Sequence, residues 1–214
     1  MRLILDIGGT HGGSLNYLKR AIDSVKEFPM IMLKAQLWDI GHPAGQTNPR
    51  LDWGTFEKAH RHARDMGVTF SASVFDGPSY EFLSGLGPAW IKFAYSMRES
   101  PLLTRAIEDG NDVIVSLGWM NNGRHTEGIT RLLMPVPDTY PVLTRLDYSR
   151  EWWGWFDGLS DHSVGIRQSV EAAGSGCQLL EKHVKFPGYA SCPDAQFAVD
   201  WDRVKDLIYE TTHL

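Results

Sequence analysis

Short apolar runs alternate with stretches of helical periodicity along the whole chain. Eight runs have the length and residue types of buried strands, and the segments between them place their apolar residues on one helical face. This alternation predicts repeated strand–helix units. The predicted strands are Leu3–Asp6, Met30–Gln36, Val68–Ser73, Trp90–Phe93, Asp112–Ser116, Thr130–Met134, Phe156–Ser160 and Cys177–His183, and the clearest predicted helices are Leu15–Glu27, Trp53–Met66 and Val164–Ala173.

Eight strand–helix units favour a closed barrel over an open sheet. Dividing 214 residues among eight units gives about 27 residues each, close to the lower limit for a (β/α)₈ barrel. A doubly wound sheet would carry a G-x-G-x-x-G turn after its first strand, and the glycines between Gly8 and Gly13 lack that spacing. We therefore predict a compact α/β (β/α)₈ TIM barrel, with residues 1–214 as a single catalytic domain.

Composition and charge exclude several classes of function. The net charge is −5 and the basic residues are scattered, which argues against nucleic-acid binding. The first residues are charged too early for a signal peptide, and no apolar run is long enough to span a bilayer. Cys177 and Cys192 show no metal or redox spacing. We expect a soluble cytoplasmic protein that acts on small molecules.

Nearly every predicted strand ends in a polar residue. In a barrel these ends converge on one face, where catalysis takes place. A single lysine such as Lys34 or Lys92 would be interpreted as extending from the rim into solvent. Two lysines, two histidines and two carboxylates at corresponding strand ends instead indicate a functional cluster. Its members are Asp6, Lys34, Gln36, Ser73, Lys92, Ser116, Ser160, His162, Glu181 and His183.

The residue types in this cluster suggest a class of reaction. Lysine ammonium groups and serine hydroxyls suit a phosphorylated or carboxylated small molecule. Neutral imidazoles at His162 and His183 make half of a divalent-metal site with open positions, and such a metal polarises a carbonyl oxygen. Glu181 and Asp6 could move protons or orient water. Together these residues favour carbon–carbon bond formation between an anionic enol and a carbonyl acceptor.

Short motifs in a fixed order point to a known family. The segments that carry the likeness are Asp6–Gly13, Lys34–Gln36, Ala72–Asp76, Ile91–Ala94, Val115–Gly118, Tyr140–Pro141, Gly158–Gly165, Glu181–His183 and Cys192–Asp194. Each match is short, but their order makes the set specific. The chain resembles the N-acetylneuraminate (sialic acid) synthases, (β/α)₈ enzymes that condense phosphoenolpyruvate with an N-acylated sugar aldehyde.

The resemblance implies a role for each residue of the cluster. It implies Mn²⁺ or a similar divalent ion on His162 and His183, and attack of the enol C3 on the aldehyde, with water adding at C2 before phosphate leaves. The implied catalytic residues are Glu181, Asp6, Lys34 and Lys92. The phosphoenolpyruvate pocket is implied to be lined by the two lysines together with Ser73, Ser116 and Ser160, and Gln36 to lie beside the metal and the donor. The residues implied to face the acceptor sugar are Tyr140, Asp138 and Asp194.

The chain also departs from the family pattern. Asp6 stands where the family has glutamate, and Tyr95 introduces a bulky ring where the family has a small residue near the anionic end of the donor. The sequence reaches Leu214 just after the last predicted barrel helix, whereas family members usually continue into an antifreeze-like domain that helps a partner subunit bind the acceptor. We therefore expect the donor half of the site to be better preserved than the acceptor half.

Two alternative functions stay open at this stage. Another metal-dependent barrel enzyme, an aldolase or a sugar isomerase, would use the same anion pocket without phosphoenolpyruvate. A barrel that has lost catalysis would serve as a binding or assembly subunit. The second alternative is disfavoured by the presence of Lys34, Lys92, His162, Glu181 and His183. A homo-oligomer remains a candidate assembly for each of the functions considered.

Overall fold

The chain forms a closed barrel of eight parallel strands, as the sequence predicts. A computed structural model describes residues 1–118, 129–134, 141–142 and 148–212. The strands lie in chain order around the barrel, and β8 closes it by pairing with β1. They are β1 (Arg2–Asp6), β2 (Ile31–Leu37), β3 (Thr69–Val74), β4 (Ile91–Phe93), β5 (Val113–Gly118), β6 (Ile129–Met134), β7 (Gly158–Asp161) and β8 (Leu179–Lys185), and a short β9 (Val199–Asp200) pairs with the end of β8.

In the parts of the chain that the structure describes, helices follow β1 to β4, β7 and β8 on the outside of the barrel. Ser14, Asp52 and Asp76 begin three of them by accepting a backbone N–H bond at the first turn, which satisfies a donor that the helix itself cannot. The predicted start of the helix after β7 is wrong by three residues, because Val164 is exposed and Gly165 adopts a φ of +78° in a turn. The helices are α1 (Leu15–Val25), α2 (Trp53–Asp65), α3 (Gly77–Gly85), α4 (Pro101–Glu108), α5 (Arg167–Gly174) and α6 (Val204–Thr212).

Apolar side chains fill the barrel at its amino end and the layer between the barrel and the helices. The larger cluster joins the outward faces of the strands to the buried faces of the helices. The smaller cluster lies inside the barrel and consists of Ile4, Met32, Trp90, Ile114, Leu132 and Leu179. Successive strand residues point to opposite faces. The inward-facing residues that follow this apolar cluster toward the carboxyl ends of the strands are therefore one level higher in the barrel, and most of these are polar.

Strand register brings those polar positions to one level. Asp6 pairs with Lys34 on one side and with His183 on the other, and Ser73 pairs with Lys92. Several strands continue past their predicted ends, so His183 lies two residues before the end of β8. The inward polar side chains therefore form a ring within the barrel mouth. Over the described residues, no helix combines the length and the apolar character needed to cross a bilayer.

Candidate active site

The carboxyl end of the barrel opens into a cavity of about 450 Å³. Every residue that the sequence assigned to the site and that the structure describes lines this cavity. The two remaining assignments, Asp138 and Tyr140, lie outside the described residues. The residues brought together are Asp6, Lys34, Gln36, Ser73, Lys92, Ser116, Ser160, His162, Glu181, His183 and Asp194.

Lys34 is buried in the cavity floor between two carboxylates. Its Nζ lies 2.7 Å from Asp6 Oδ2 and 2.6 Å from Glu181 Oε1, and it donates to Ser73 Oγ at 2.9 Å. Burial alone would lower the pKa of Lys34, but attraction to Asp6 and Glu181 raises it above its ordinary value. Lys34 is therefore a fixed positive charge throughout the physiological range.

Lys92 lies across the floor from Lys34 and is held more weakly. Its Nζ donates to Ser116 Oγ at 2.7 Å and lies 3.2 Å from Glu181 Oε2. Burial, helped by the repulsion of Lys34, lowers the pKa of Lys92 to about 8 against the attraction of Glu181. The charge of Lys92 therefore changes just above neutral pH.

Glu181 bridges the two lysines with its two carboxylate oxygens. Burial would raise its pKa, but Lys34 and Lys92 hold the pKa of Glu181 well below its ordinary value. With Asp6 beside Lys34, the floor contains two cations and two carboxylates. The lysines are therefore held in place by charges of opposite sign, which is the pairing that buried lysine requires.

Asp6 connects the lysine cluster to the histidines. Its Oδ1 accepts the backbone N–H of Gly8 at 2.8 Å, and its Oδ2 lies 3.2 Å from His183 Nε2. Gly8 has a φ of +53°, and a Cβ atom added there would lie 2.8 Å from Asp194 Oδ2 and 3.1 Å from His183 Nδ1. Glycine is therefore required at this turn for its conformation and for the space beside His183.

The two histidines share one wall of the cavity. The ring centroids of His162 and His183 are 5.3 Å apart, and both rings pack against Phe197. Burial lowers the pKa of His162 well below its ordinary value, so this imidazole is neutral at pH 7. His183 Nδ1 is buried, has no hydrogen-bond partner among the described residues and lies 3.9 Å from Asp194 Oδ2. The neutral imidazole of His162 beside an unused buried nitrogen of His183 fits a divalent transition metal.

This pair is not part of a larger ligand cluster in the described chain. Among the residues described, no group of three or more histidine, cysteine, aspartate or glutamate side chains has a metal-binding arrangement. The protein could therefore supply two nitrogen ligands, while water or substrate would take the remaining positions, which is typical of catalytic rather than structural metal sites.

The mouth of the cavity includes residues that the sequence interpretation did not assign to the site. Phe197 carries no chemical signal in the sequence, because an aromatic residue near a strand usually indicates packing. Asn48 lies at the mouth in the polar loop after β2. Gln36 Nε2 donates to Asp194 Oδ2 at 3.3 Å beside them. The other residues that line the cavity are Thr47, Asn48, Phe75, Ala94, Tyr95, Ser96, Pro193 and Phe197.

Tyr95 occupies the gap between β4 and β5. A Cβ atom added at Gly118 would lie 2.9 Å from the Tyr95 ring, so the ring packs directly on the backbone at the end of β5. The guanidinium carbon of Arg98 lies 4.0 Å from the ring centroid on one face, within the range of a cation–π contact. Tyr95 therefore narrows the cavity on the side of Lys92.

The paired buried charges and the two histidines lie at the carboxyl face of a (β/α)₈ barrel. Active sites of barrel enzymes lie at this face, so the architecture is that of a barrel enzyme. The family follows from comparison of the sequence. The chain belongs to the NeuB family, whose sequence model matches residues 44–214.

Several known proteins are similar to this chain. N-acetylneuraminate-9-phosphate synthase from Homo sapiens is 25% identical over 219 residues, covering 85% of this chain and 61% of the human protein. N,N'-diacetyllegionaminic acid synthase from Campylobacter jejuni is 24% identical, covering 96% and 73%. The crystal structure of N-acetylneuraminic acid synthetase from Leptospira borgpetersenii superimposes with a TM-score of 0.81 at 22% identity, covering 99% and 82%, and has the same fold. The chain spans about three fifths of the length of the human relative.

Proposed function

We propose that the protein condenses phosphoenolpyruvate with the aldehyde of a sugar and releases phosphate, assisted by Mn²⁺ or another divalent metal. The observation that carries this proposal is the pair of buried lysines bridged by Glu181, in the same cavity as two histidines. Relatives named N-acetylneuraminate-9-phosphate synthase, N,N'-diacetyllegionaminic acid synthase and pseudaminic acid synthase support it. Phosphoenolpyruvate and the aldehyde sugar are accordingly the proposed substrates.

The lysine side of the cavity is the proposed donor site. Lys34 and Lys92 supply two positive charges, and the hydroxyls of Ser73 and Ser116, which accept from these lysines, keep their own protons for the oxygens of an anion. Bonds from a charged donor to a phosphate or carboxylate are about twice as strong as neutral ones. Ser160 Oγ lies 3.5 Å from His162 Nε2 and is placed between the proposed donor and metal sites.

Donor binding also changes the surroundings of Glu181. An anion that bonds to Lys34 and Lys92 competes with Glu181 for the same ammonium groups. As those bonds weaken, the carboxylate of Glu181 becomes a better proton acceptor, since the lysines no longer hold its pKa so low. Glu181 is therefore the group that we propose to orient and deprotonate the water that adds to the donor.

The histidine side is the proposed metal site, with His162 and His183 as protein ligands. When bound, the metal would supply Lewis-acid polarisation of the aldehyde oxygen. Asp6 Oδ2 lies 3.2 Å from His183 Nε2, while His183 Nδ1 lies on the side of Gly8 and Asp194. A carboxylate that orients a ligating histidine in this way commonly supports metal affinity. In this proposal, Asp6 acts mainly through His183 and Lys34.

The acceptor is proposed to bind at the cavity mouth beside Asp194. The Asp194 side chain is 18% exposed, and its bond from Gln36 leaves a carboxylate oxygen available for sugar hydroxyls. Asn48 Oδ1 is buried without a hydrogen-bond partner among the described residues. Fixed polar groups of this kind distinguish sugars because an unmatched buried group is costly.

The position of Tyr95 favours one alternative reaction. A ring packed on Gly118 restricts the donor side of the cavity, and a smaller carboxylated or phosphorylated substrate would fit there. Such a barrel would carry out metal-dependent aldol or isomerase chemistry without phosphoenolpyruvate. This alternative predicts sulfate or phosphate binding at the lysines but no release of phosphate from phosphoenolpyruvate.

The proposal is tested by measuring phosphate release from phosphoenolpyruvate against a panel of sugar aldehydes, with and without Mn²⁺. We expect release that requires both an aldehyde and the metal and is lost in His183→Ala. His62→Ala is the matched control, because His62 lies on α2 and pairs with Asp23 on α1. A folded wild type that binds phosphoenolpyruvate but releases no phosphate with any aldehyde would contradict the proposed reaction.

A further inference from the structure

A buried ion pair lies directly behind the two histidines, outside the barrel. Asp161 on β7 pairs in register with Lys182 on β8, and their side chains are 2% and 0% exposed. Because Glu181 lines the cavity, its neighbour Lys182 points to the opposite face of the sheet, toward the helices. The hydroxyl of Ser169 on α5 donates to Asp161 Oδ2 at 2.5 Å, which confirms that orientation. Neither Asp161 nor Lys182 is among the described residues that line the cavity.

The contacts of this pair fix the backbone on both sides of His162. Lys182 Nζ lies 3.1 Å from Asp161 Oδ2 and also donates to the backbone carbonyl oxygen of Ser163. Asp161 Oδ1 accepts the backbone N–H of Ser163 at 2.8 Å. The carbonyl oxygen of His162 itself accepts the backbone N–H of Val142 at 3.0 Å. Residues 161–163 are thus held to β8 by a side chain of that strand.

Stability alone does not account for such a pair. Replacing a buried ion pair by apolar side chains of similar volume is often neutral or stabilising, since desolvation offsets the attraction. The pair instead fixes the position of the two histidines, because Lys182 is adjacent to His183 in sequence and bonds to the residues that flank His162. The bond network therefore links the backbones that carry the two imidazoles.

We propose that Lys182, together with Asp161, is a positioning residue that sets the spacing of His162 and His183 for metal binding. This inference rests on the proposed function, in which the two histidines hold the metal. It assigns Lys182 no contact with substrate. Loss of the pair should loosen the histidine side of the cavity and leave the lysine side unchanged.

The test compares Mn²⁺ and sulfate affinities of the double variant Asp161→Asn/Lys182→Met with those of the wild type, by calorimetry. The double variant leaves no unpaired buried charge, and the asparagine oxygen can still accept the N–H of Ser163. We expect Mn²⁺ to bind about 10–100-fold more weakly, the effect typical of groups that orient a metal ligand, and sulfate affinity to be unchanged. Arg131→Met is the matched control, because Arg131 is a buried cation on β6 that pairs with Asp157.

The outcomes separate this inference from the proposed function. Equal Mn²⁺ affinity in a folded double variant, or an equal loss of sulfate affinity, overturns the positioning role. Equal Mn²⁺ binding by wild type and His183→Ala instead overturns the metal site of the proposed function. If the double variant does not fold, Ser169→Ala is used, which removes one bond to Asp161 and keeps both charges. It should weaken Mn²⁺ binding by about tenfold, the lower end of the range for groups that orient a metal ligand, and unchanged affinity overturns the inference.

Discussion

The low pKa of Lys92 leads to a specific prediction for anion binding as pH rises. Burial lowers the pKa of Lys92 to about 8, whereas the carboxylates around Lys34 raise its pKa and keep it charged. Sulfate is a suitable probe because its own charge does not change between pH 7 and pH 10. Raising the pH through 8 therefore removes one of the two proposed charges from the anion site, and sulfate affinity should fall.

The size of the decrease follows from the contacts of one ammonium group. A hydrogen bond to a charged group contributes about 1.5–3 kcal/mol, which corresponds to roughly 10- to 150-fold in affinity at about 1.4 kcal/mol per tenfold. Sulfate affinity should be nearly constant well below pH 8 and should decline by up to about tenfold per pH unit above it. The decline should level off once the full loss of roughly 10- to 150-fold, estimated above from one charged hydrogen bond, is reached. Sulfate binding should also shift the pKa of Lys92 upward.

Calorimetric titration with sulfate at a series of pH values tests this prediction, with Lys92→Met as the matched variant. Lys92→Met should bind sulfate weakly at every pH and lack the decline above pH 8, because it lacks the group that titrates. A wild-type affinity that stays constant from pH 7 to pH 9.5 would refute the reasoning. The same holds for a decline of equal size in Lys92→Met.

Further predictions concern stability, the metal and the cavity. Because the folded-state pKa of Lys92 (about 8) lies below its ordinary value of 10.5, the unfolded chain binds more protons between these values. The free energy of unfolding, measured in denaturant relative to Lys92→Met, should rise with pH over that window and not fall. His183→Ala should abolish Mn²⁺ binding in calorimetry, and wild-type affinity in this variant would contradict the site. Gly8→Ala and Gly110→Ala both place a side chain at positive φ, but only at Gly8 would the Cβ meet other groups. Both variants should lose about 1–2 kcal/mol of stability in thermal unfolding. Only Gly8→Ala should also bind Mn²⁺ more weakly, and equal Mn²⁺ affinity in the two variants would count against the role of Gly8. Tyr95→Ser should open the donor side and strengthen phosphoenolpyruvate binding in calorimetry, and an unchanged affinity would show that the ring does not restrict the donor.

The sequence was sufficient to predict the barrel because its strands are buried on both faces. Continuous apolar runs such as residues 31–33 have few other interpretations when they recur with helices between them. Predicting the start of α5 was harder, since Val164 and Ile166 fit a helical pattern although Gly165 forms a turn between them. The spacing of apolar residues does not determine the backbone conformation that Gly165 adopts.

The cavity could be predicted in its chemistry but not in its complete lining. Lys34, Lys92 and Glu181 were identifiable because charged residues within apolar strands need partners. Phe197 was not, since its position at the mouth depends on how distant parts of the chain pack together. The link from Lys182 to the backbone around His162 likewise required the paired register of β7 and β8.

The proposed reaction joins the methylene carbon of phosphoenolpyruvate to the aldehyde carbon of the acceptor, so the fate of that methylene carbon distinguishes condensation from hydrolysis. Phosphoenolpyruvate labelled with ¹³C at C3 would be incubated with the protein, Mn²⁺ and each sugar aldehyde, and followed by NMR together with phosphate release. With at least one aldehyde, we expect phosphate to appear in an amount equal to that of a product whose labelled CH₂ is joined to the former aldehyde carbon. Label that appears only in the methyl group of pyruvate would show hydrolysis without condensation, and the proposed reaction would be wrong.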